Sequence, residues 1–238
     1  AVPRCIRYNK RRLRRPFPFI NDSEIMTMKK IYDITSPQIQ PVAIQQAIDV
    51  LNSGGVVIFP TDTVYGLAAS AFNEGAIQRL YRMKERDPQK SIAVLLGNIS
   101  QIRLIAADFP ESARKLAERY WPGGLTLLVS KLDTLPPALS ANEKIGIRIP
   151  DYPLIQDLIN HTGPLATTSA NLSGETPAKK LSDLPDSLLQ QADLILNGGP
   201  VKGGIASTVV DCTVRPLLVL REGAISKEEV AAFDSEME

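Results

Sequence analysis

The sequence contains one histidine and two cysteines among 238 residues, and this scarcity excludes several kinds of chemistry. Cys5 and Cys212 belong to no metal-ligand spacing, so neither a zinc site nor a disulfide framework is expected. His161 lies in a segment typical of a helix end, where an imidazole commonly binds the last carbonyl groups. Since no serine or cysteine elbow accompanies it, a catalytic triad is not expected. Chemistry must therefore rest on lysine, arginine, hydroxyl groups and any bound metal ion.

Long hydrophobic runs are also lacking. No apolar run approaches the roughly 18 residues that a membrane span requires, so no membrane association is expected. Free thiols fit a reducing compartment, and we expect a cytoplasmic protein. The net charge is only +1, so any attraction for anions must come from a local cluster of cations rather than from the whole molecule.

The charge is unevenly distributed along the chain. Residues 1–27 carry seven basic and two acidic side chains without hydrophobic periodicity, which predicts a basic, disordered extension. It is interpreted as an arm that binds nucleic acid, an organelle-targeting segment, or translated sequence upstream of a start at Met26 or Met28. We favour the third interpretation, because Met28 opens a sequence typical of a natural beginning. The folded domain is then expected to span residues 28–238, which are slightly acidic.

Familiar nucleotide-binding and hydrolase signatures are absent. The sequence has no Gly-x-x-x-x-Gly-Lys-Ser/Thr loop, no Gly-x-Gly-x-x-Gly and no Gly-x-Ser-x-Gly. A P-loop nucleotidase, a Rossmann dehydrogenase and an α/β hydrolase are therefore disfavoured.

Helical and strand patterns alternate from residue 28 onward, without a linker, repeat or low-complexity tract. Helices are predicted to begin near Pro37, Asn73, Pro110, Pro153 and Ser226, the last from a capping box. Short apolar runs predict strands at 56–60, 92–96, 125–129, 145–149, 164–166, 193–196, 208–210 and 217–220. This order predicts one α/β domain with a mixed sheet of about seven or eight strands.

The stretch from Pro60 to Leu67 places hydroxyl groups, a carboxylate and a glycine directly after a buried strand. Strands of open α/β sheets deliver ligand-binding groups at such ends, so Thr61, Thr63 and Tyr65 are candidates. Alternatively, Asp62 and the threonines cap a following helix.

Three cations, Lys84, Arg86 and Lys90, lie within seven residues on a predicted loop before a buried strand. Such a cluster suits a polyphosphate, which needs several converging positive donors. The alternative is a solvated loop whose charges pair with Glu85 and Asp87.

Arg148 lies among the alternating apolar residues of a predicted strand, although arginine is seldom buried without a partner. It is expected to hold a carboxylate, either of the protein or of a ligand. Residues 167–174 collect hydroxyl groups, an amide and a glycine, which favours contact with an anion or nucleotide. The glycine pairs at 198–199 and 203–204 are expected to let the backbone approach a ligand closely.

Together these segments resemble the YrdC/TsaC family of threonylcarbamoyl-AMP synthases over residues 31–226. Seven motifs occur in the same order, which makes the resemblance specific. They are Pro-Thr-Asp-Thr-Val-Tyr-Gly-Leu (60–67), Lys-x-Arg (84–86), Trp-Pro-Gly-Gly-Leu-Thr (121–126), Arg-Ile-Pro (148–150), Ser-Ala-Asn-Leu-Ser-Gly (169–174), Ser-Thr-Val-Val-Asp (207–211) and Arg-Glu-Gly (221–223).

The resemblance implies a YrdC-like fold, a twisted, open, mixed α/β sheet flanked by helices, with a large concave basic cleft. It implies a nucleotidyltransferase that forms L-threonylcarbamoyl-AMP and pyrophosphate from L-threonine, bicarbonate or CO2, and ATP. The product would feed the threonylcarbamoyladenosine modification of tRNA through a downstream transferase complex. Mg²⁺ is expected to arrive on the phosphates of ATP with water ligands, because no dense carboxylate cage is visible in the sequence.

The resemblance also implies roles for individual residues. The threonine site would consist of Thr63, Arg148, Thr167 and Ser207, and Arg148 would pair with the substrate carboxylate. The ATP site would consist of Arg86, Lys90, Lys144, Ser169 and Arg221. The catalytic set would be Lys84, Arg86, Ser169 and Asn171. Because a loop cation carries little packing, we expect Lys84→Ala and Arg86→Ala to weaken ATP use with little loss of stability.

The sequence departs from some relatives. Asp87 follows Arg86 where some relatives have proline, and Leu95 replaces a histidine that touches threonine. The chain ends soon after its last predicted helix, where longer relatives continue into a C-terminal domain. Trp121 is interpreted as a structural residue.

Two alternatives to the synthase fit part of the sequence. A module that binds double-stranded RNA or a ribosomal precursor would use the same cleft, although the slightly acidic body argues against it. A relative of hydrogenase maturation factors would share the fold, but those proteins carry acylphosphatase and zinc-finger segments that this sequence lacks.

Overall fold

The structure, a computed structural model, describes residues 30–236 and contains one ten-stranded mixed sheet. Its order is β1-β8-β2-β3-β7-β4-β6-β5-β9-β10. The strands are β1 (Lys30–Asp33), β2 (Val57–Phe59), β3 (Gly66–Ser70), β4 (Ala93–Leu95), β5 (Leu125–Ser130), β6 (Lys144–Arg148), β7 (Leu165–Ser169), β8 (Leu194–Asn197), β9 (Thr208–Asp211) and β10 (Leu218–Arg221). The predicted mixed α/β class is confirmed, but the predicted strand number is wrong because β1 and β3 were missed. The extension predicted at 1–27 and the start at Met28 lie outside the described residues.

Six α-helices accompany the sheet in the described part of the chain. They are α1 (Gln40–Asn52), α2 (Glu74–Lys84), α3 (Glu111–Tyr120), α4 (Pro153–Thr162), α5 (Asp186–Gln191) and α6 (Lys227–Ser235). The predicted capping box is confirmed, because Ser226 forms it with Glu229. Asn73, predicted only as a helix start, caps its helix by accepting a hydrogen bond from the Ala76 amide at 3.0 Å. The short helix α5 was not predicted.

The helices cover the two faces of the sheet unequally. Alternate residues of a strand point to opposite faces, and accordingly Val57 and Phe59 pack with α1 and α4, whereas Ile58 packs with the other helices. The face that holds α2, α3, α5 and α6 is covered by the larger core cluster. On the opposite face, α1 and α4 pack over β8, β2, β3 and the start of β7. Beside them, this face carries a cavity over β4, β6, β5 and β9.

Strand β3 decides between the two interpretations of the motif at 60–67. The residues after the 60–65 turn form a strand between β2 and β7, so the interpretation of Asp62 and the threonines as helix caps is wrong. Gly66 pairs with Ser169 in the register of β7. A Cβ atom on Gly66 would lie 2.9 Å from the Thr167 side chain, so the crowded sheet requires a residue without a side chain here.

Candidate functional site

A cavity of about 380 Å³ opens on the sheet face that α1 and α4 leave uncovered. Its floor follows the strand register: Leu95 of β4 lies beside Arg148 of β6, and Ala93 lies beside Thr167 of β7. Neighbouring residues in register share a face, so these side chains converge on one surface. The lining residues are Thr61, Thr63, Val64, Tyr65, Gly66, Arg86, Ser91, Ile92, Ala93, Leu95, Thr126, Leu128, Gly146, Arg148, Thr167, Thr168, Ser169, Pro177, Ala206, Ser207, Val209, Leu220 and Arg221.

Small residues in the floor leave the cavity open for a ligand. Gly66, Ala93 and Gly146 occupy floor positions, where larger side chains would fill the space. A Cβ atom on Gly146 would lie 3.0 Å from the Thr126 side chain and 3.6 Å from that of Ala93. The floor is therefore crowded at the level of the backbone, and the space above it remains for a ligand.

Arg148 lies at one edge of this cavity in a cluster that we call the arginine corner, made of Asp62, Thr63, Gly123 and Arg148. The guanidinium donates to the Thr63 hydroxyl at 2.9 Å, to the Gly123 carbonyl at 2.8 Å, and to the Asp62 carboxylate. Burial lowers the pKa of Arg148, and the charge of Asp62 opposes that effect. The structural carboxylate that the sequence left open as a partner is therefore Asp62, which was not among the predicted site residues. The signal was present, since a buried arginine demands an anion and Asp62 lies in the motif at 60–67.

The turn that carries Thr61 and Thr63 is held from two sides. The Thr61 hydroxyl donates to the Val64 carbonyl at 2.7 Å and lies 3.0 Å from the Thr63 hydroxyl. The amides of Gly203 and Gly204 donate to the carbonyls of Asp62 and Thr63 at 3.0 and 2.8 Å. Instead of approaching a ligand, as predicted, these two glycines pack against the turn. A Cβ atom on Gly203 would lie only 2.6 Å from the Asp62 carbonyl oxygen.

The other glycine pair, 198–199, also contacts protein. The Tyr65 hydroxyl donates to the Gly199 carbonyl at 2.8 Å and accepts from the Gly198 amide at 3.1 Å. Burial raises the pKa of this phenol to about 12. Of the three hydroxyl groups predicted as ligands, that of Tyr65 is therefore committed to holding a loop.

Lys84 ends α2 in a second polar cluster, which we call the lysine corner and define as Lys84, Ser169 and Asn171. Its ammonium donates to the Asn171 side-chain oxygen at 2.9 Å and to the Ser169 carbonyl. The Ser169 hydroxyl donates to the same Asn171 oxygen at 2.6 Å. With 1% of its surface exposed, Lys84 is a buried residue, so the prediction of a loop cation with little packing is wrong. Burial, and then the charge of Arg86, lower the pKa of Lys84 to about 7.

The predicted alternative of a solvated loop with internal ion pairs is not what the structure shows. Arg86 donates to the carbonyls of Lys90 and Ser91 at 3.0 and 2.9 Å, and it lines the cavity. Its half-buried guanidinium has a lowered pKa, mainly because of burial. No ion pair joins Lys84, Arg86 or Lys90 to an acidic residue within 30–236.

Arg221 approaches the cavity from the edge strand β10. It donates to the Ser207 carbonyl at 2.7 and 3.0 Å and to the Ser207 hydroxyl at 3.0 Å. The Ser207 hydroxyl also lies 2.8 Å from that of Thr126, a neighbour that the sequence did not indicate. Burial, and then the charge of Arg86, lower the pKa of Arg221. Three arginines thus line one cavity, and none of its lining residues is a carboxylate.

Some predicted site residues lie elsewhere. Lys90 is exposed on its loop, and Lys144 pairs with Asp211 at 2.8 Å, and neither lines the cavity. Lys84 and Asn171 do not line it either, but both form hydrogen bonds with Ser169, which does. By contrast, seven of the eleven residues to which the resemblance gave roles do line it, namely Thr63, Arg86, Arg148, Thr167, Ser169, Ser207 and Arg221.

Residues assigned no catalytic role behave as structural ones. Trp121 donates to the Leu125 carbonyl at 2.7 Å and stacks on Phe109 with ring centroids 6.4 Å apart. His161 is exposed in the last turn of α4 and lies 2.8 Å from the Asp157 carbonyl. Within residues 30–236, no three His, Cys, Asp or Glu side chains are close enough to hold a metal ion. Over the same range, no helix is both long and apolar enough to cross a membrane.

A mixed α/β sheet with a polar-lined cavity on its open face is typical of a protein that binds a small ligand. A family model named Sua5_yciO_yrdC and described as "Telomere recombination" matches residues 49–223. Since that match covers most of the chain, the protein belongs to the Sua5/YciO/YrdC family, and the resemblance inferred from the motifs is confirmed.

Curated relatives carry a consistent name. The "Threonylcarbamoyl-AMP synthase" of Bacillus subtilis is 40% identical over 192 residues, which cover 79% of this chain and 56% of that protein. The "Putative threonylcarbamoyl-AMP synthase" of Mycobacterium tuberculosis strain H37Rv is 33% identical over 86% of this chain and 94% of its own. The chain thus spans little more than half the length of the Bacillus relative.

Solved structures agree with the fold. Sua5 of P. abyssi complexed with L-threonine has a TM-score of 0.77 and 32% identity, over 80% of this chain and 56% of its own. YciO of E. coli has a TM-score of 0.72 and 27% identity, over 85% of this chain and 97% of its own. The predicted YrdC-like sheet flanked by helices is therefore confirmed.

Proposed function

We propose that this protein forms L-threonylcarbamoyl-AMP and pyrophosphate from L-threonine, bicarbonate or CO2, and ATP. The observation that carries the proposal is one cavity lined by three arginines and a group of hydroxyls, in a chain whose relatives bear the name of that synthase. A volume of about 380 Å³ lies within the range of small-molecule sites, which is roughly 300–1,000 Å³.

The amino-acid end of the site is assigned to the arginine corner. Three of the five guanidinium N–H groups of Arg148 donate to protein acceptors, which leaves one on each terminal nitrogen for a substrate carboxylate. Thr63, Thr167 and Ser207 surround this position with hydroxyl groups. P. abyssi Sua5, the relative solved with L-threonine, supports the choice of substrate.

The nucleotide end is assigned to Arg86, Arg221 and Ser169. After burial, the charge of Arg86 lowers the pKa of Arg221, so the two guanidiniums form a region of concentrated positive charge that a polyphosphate would relieve. Lys90 and Lys144 remain predicted ATP contacts, although reaching the cavity would require their side chains to move. The basic character of the cleft also remains a prediction.

The chemistry needs alignment more than acid–base catalysis. The threonine amine attacks the carbon of CO2 or bicarbonate, a C–N bond forms, and the amine proton passes to water or leaves with hydroxide as water. A carbamate oxygen then attacks the α-phosphorus of ATP; the new P–O bond replaces the bond to the bridging oxygen, and pyrophosphate leaves. Arg86 and Arg221 would stabilise the charge on the departing group, and Arg148 would hold the nucleophile in place.

Mg²⁺ with ATP remains an expectation. The lining residues offer hydroxyl and carbonyl oxygens but no carboxylate, so the phosphates and water would supply most ligands of the ion. When bound, the ion would neutralise charge on the phosphates. The tRNA-modifying transferase, direct RNA contact and a cytoplasmic location also remain predictions, and nothing in the described residues favours the RNA-binding alternative.

The test is pyrophosphate release from ATP by the full chain, with L-threonine and bicarbonate omitted in turn. Release that requires both co-substrates is the expected result. Arg86→Gln and Arg221→Gln should each lower turnover by about 10-fold or more, because each removes a charge beside the phosphates. Arg103→Gln is the matched control, since Arg103 is exposed and lies outside the cavity. Release that ignores threonine would contradict the proposal.

A further inference from the structure

Asp62 is a carboxylate that the proposed chemistry does not use, yet the structure holds it firmly. Its Oδ1 atom accepts from Arg148 and, at 3.1 Å, from the Asp151 amide. Its carbonyl oxygen accepts from the Gly203 amide at 3.0 Å, where no Cβ atom would fit. The side chain is 16% exposed and does not line the cavity. Asp62 is thus fixed by the Arg148 side chain, the Asp151 amide and the Gly203 amide. Its neighbour in the chain, Thr63, does line the cavity.

The position of Arg148 depends on this carboxylate. A long, flexible side chain that is 6% exposed needs acceptors in fixed places to keep one conformation. Each nitrogen of the guanidinium has its own acceptor in the described residues, namely the Gly123 carbonyl for Nε, the Thr63 hydroxyl for Nη1 and the Asp62 side chain for Nη2. Asp62 therefore fixes the nitrogen that the other two acceptors leave free. Without Asp62, we expect the Arg148 side chain to rotate toward solvent or toward another anion.

We propose that Asp62 is a positioning residue for the amino-acid site. It holds the Arg148 guanidinium so that the two N–H groups left over face the cavity and bind the carboxylate of the substrate. This inference rests on the proposed function for the identity of the substrate. It assigns Asp62 no contact with the reacting atoms.

Two substitutions separate geometry from charge. Asp62→Asn retains an oxygen that accepts from Arg148 and from the Asp151 amide, so the arginine should stay in place. Asp62→Ala removes the acceptor altogether and frees the guanidinium. A positioning role therefore predicts that threonine binding is weak in Asp62→Ala and close to normal in Asp62→Asn. A proton-accepting role predicts that both variants lose turnover.

A matched control lies on the other side of the molecule. Asp234 also accepts from an arginine, Arg215, and from a backbone amide, that of Leu217, and it is 7% exposed. Neither Asp234 nor its partners line the cavity. Asp234→Ala thus removes a buried carboxylate that pairs with an arginine, here a half-exposed one, without touching the amino-acid site. It controls for the structural cost of losing such a carboxylate.

The experiment is calorimetric titration of the full chain with L-threonine and with L-threonine methyl ester, which lacks the carboxylate. For Asp62→Ala we expect threonine to bind about 10- to 100-fold more weakly, because a misplaced binding group costs that much. Asp62→Asn should stay within about threefold of the wild type, and Asp234→Ala should bind normally. The ratio of the affinity for L-threonine to that for its methyl ester should fall only in Asp62→Ala. The KM for ATP should stay unchanged within about twofold in that variant.

The possible failures are distinct. If the wild type binds threonine and Asp62→Ala binds it equally well, the positioning role is wrong and the proposed function stands. If Asp62→Asn loses turnover as severely as Asp62→Ala and shifts the pH profile, Asp62 acts through its charge, and the positioning role is again wrong. If the wild type binds neither threonine nor any other L-amino acid, the proposed function and this inference fall together. Circular dichroism and the unfolding midpoint show whether each variant is folded.

Discussion

Two buried cations lie beside the same cavity, and the protein compensates them in different ways. In the arginine corner, the Arg148 guanidinium lies against a carboxylate, and it lines the cavity. In the lysine corner, the Lys84 ammonium lies against neutral oxygens of Ser169 and Asn171, and it does not line the cavity. Burial lowers the pKa of both groups, and that of Lys84 falls to about 7.

This difference in charge compensation suits the two clusters to different roles. A guanidinium paired with a carboxylate stays charged throughout the physiological range, so it suits the recognition of a ligand carboxylate. A lysine among neutral acceptors changes its charge near neutrality, and its hydrogen bonds tie the end of α2 to the loop after β7. The first cluster is thus suited to binding, and the second to holding Ser169 in place.

The largest effect is expected where the ion pair of the arginine corner is broken. Arg148→Ala leaves Asp62 uncompensated, so we expect a loss of about 3–5 kcal/mol of unfolding free energy as well as weaker threonine binding. Chemical denaturation measures the first and calorimetry the second. The double variant with Asp62→Ala should recover part of the stability but none of the binding. A loss below about 1 kcal/mol in Arg148→Ala would show that the pair behaves like a surface salt bridge.

A second, smaller perturbation reaches the same corner through the backbone. Gly203→Ala places a Cβ atom 2.6 Å from the Asp62 carbonyl oxygen, so the loop or the turn must shift. We expect a loss of about 1–3 kcal/mol and a raised KM for threonine. Gly75→Ala is the control, because its Cβ atom would meet only the Asn73 side chain at 3.6 Å, in a helix where alanine is favoured. Equal effects of the two substitutions would contradict this account.

The lysine corner predicts a pH dependence of stability. Lys84 titrates near 7 in the folded protein and near 10.5 in the unfolded chain, so above pH 7 the unfolded chain binds more protons. Unfolding free energy should therefore rise from pH 7 to 8.5, by up to about 1.4 kcal/mol per unit. Denaturation midpoints measure this rise, and Lys84→Met should abolish it.

Other titrating groups act outside that window. Burial raises the pKa of the Cys212 thiol from 9.0 to about 12, so its contribution is lost only above pH 9. A wild type whose stability is flat between pH 7 and 8.5, or a Lys84→Met variant that rises equally, would contradict the assignment of the slope to Lys84.

The smallest effect is expected next to the arginine corner but outside it. Trp121→Phe keeps an aromatic ring against Phe109 and removes the 2.7 Å hydrogen bond to the Leu125 carbonyl. The expected loss is about 1 kcal/mol of stability, without a change in threonine affinity. A change in affinity would mean that the Trp121–Gly123 segment positions Arg148 more strongly than the structure indicates.

The sequence predicted the elements that have strong local signals. Asn73 and Ser226 mark the starts of their helices, and the apolar β-branched runs predict most strands. Strand β3 was missed because glycine and alanine have little preference for strands, and the contact with Thr167 that explains Gly66 belongs to the folded sheet. Strand β1 was missed because four residues at a sheet edge carry too short an alternation.

The residues of the candidate site were predictable from the sequence, but most of their contacts were not. Motif order identified the residues, but distances between segments far apart in sequence decide which of them meet. Arg148 and Asp62 are 86 residues apart, and Lys84 and Asn171 are 87 apart. No local pattern reveals that Lys84 is buried, or that Lys144 pairs with Asp211 outside the cavity. Burial and pairing belong to the folded chain, so residue type alone could not assign them.

The most direct test of the central claim is the transfer of label from [¹⁴C]bicarbonate into an AMP-linked product in the presence of L-threonine and ATP. The account predicts a labelled product that co-elutes with AMP-linked material, requires both co-substrates, and is lost in Arg148→Ala but kept in Asp234→Ala. Pyrophosphate release without incorporation of label, or equal incorporation without threonine, would contradict the claim that one cavity binds all three substrates and joins them into one product.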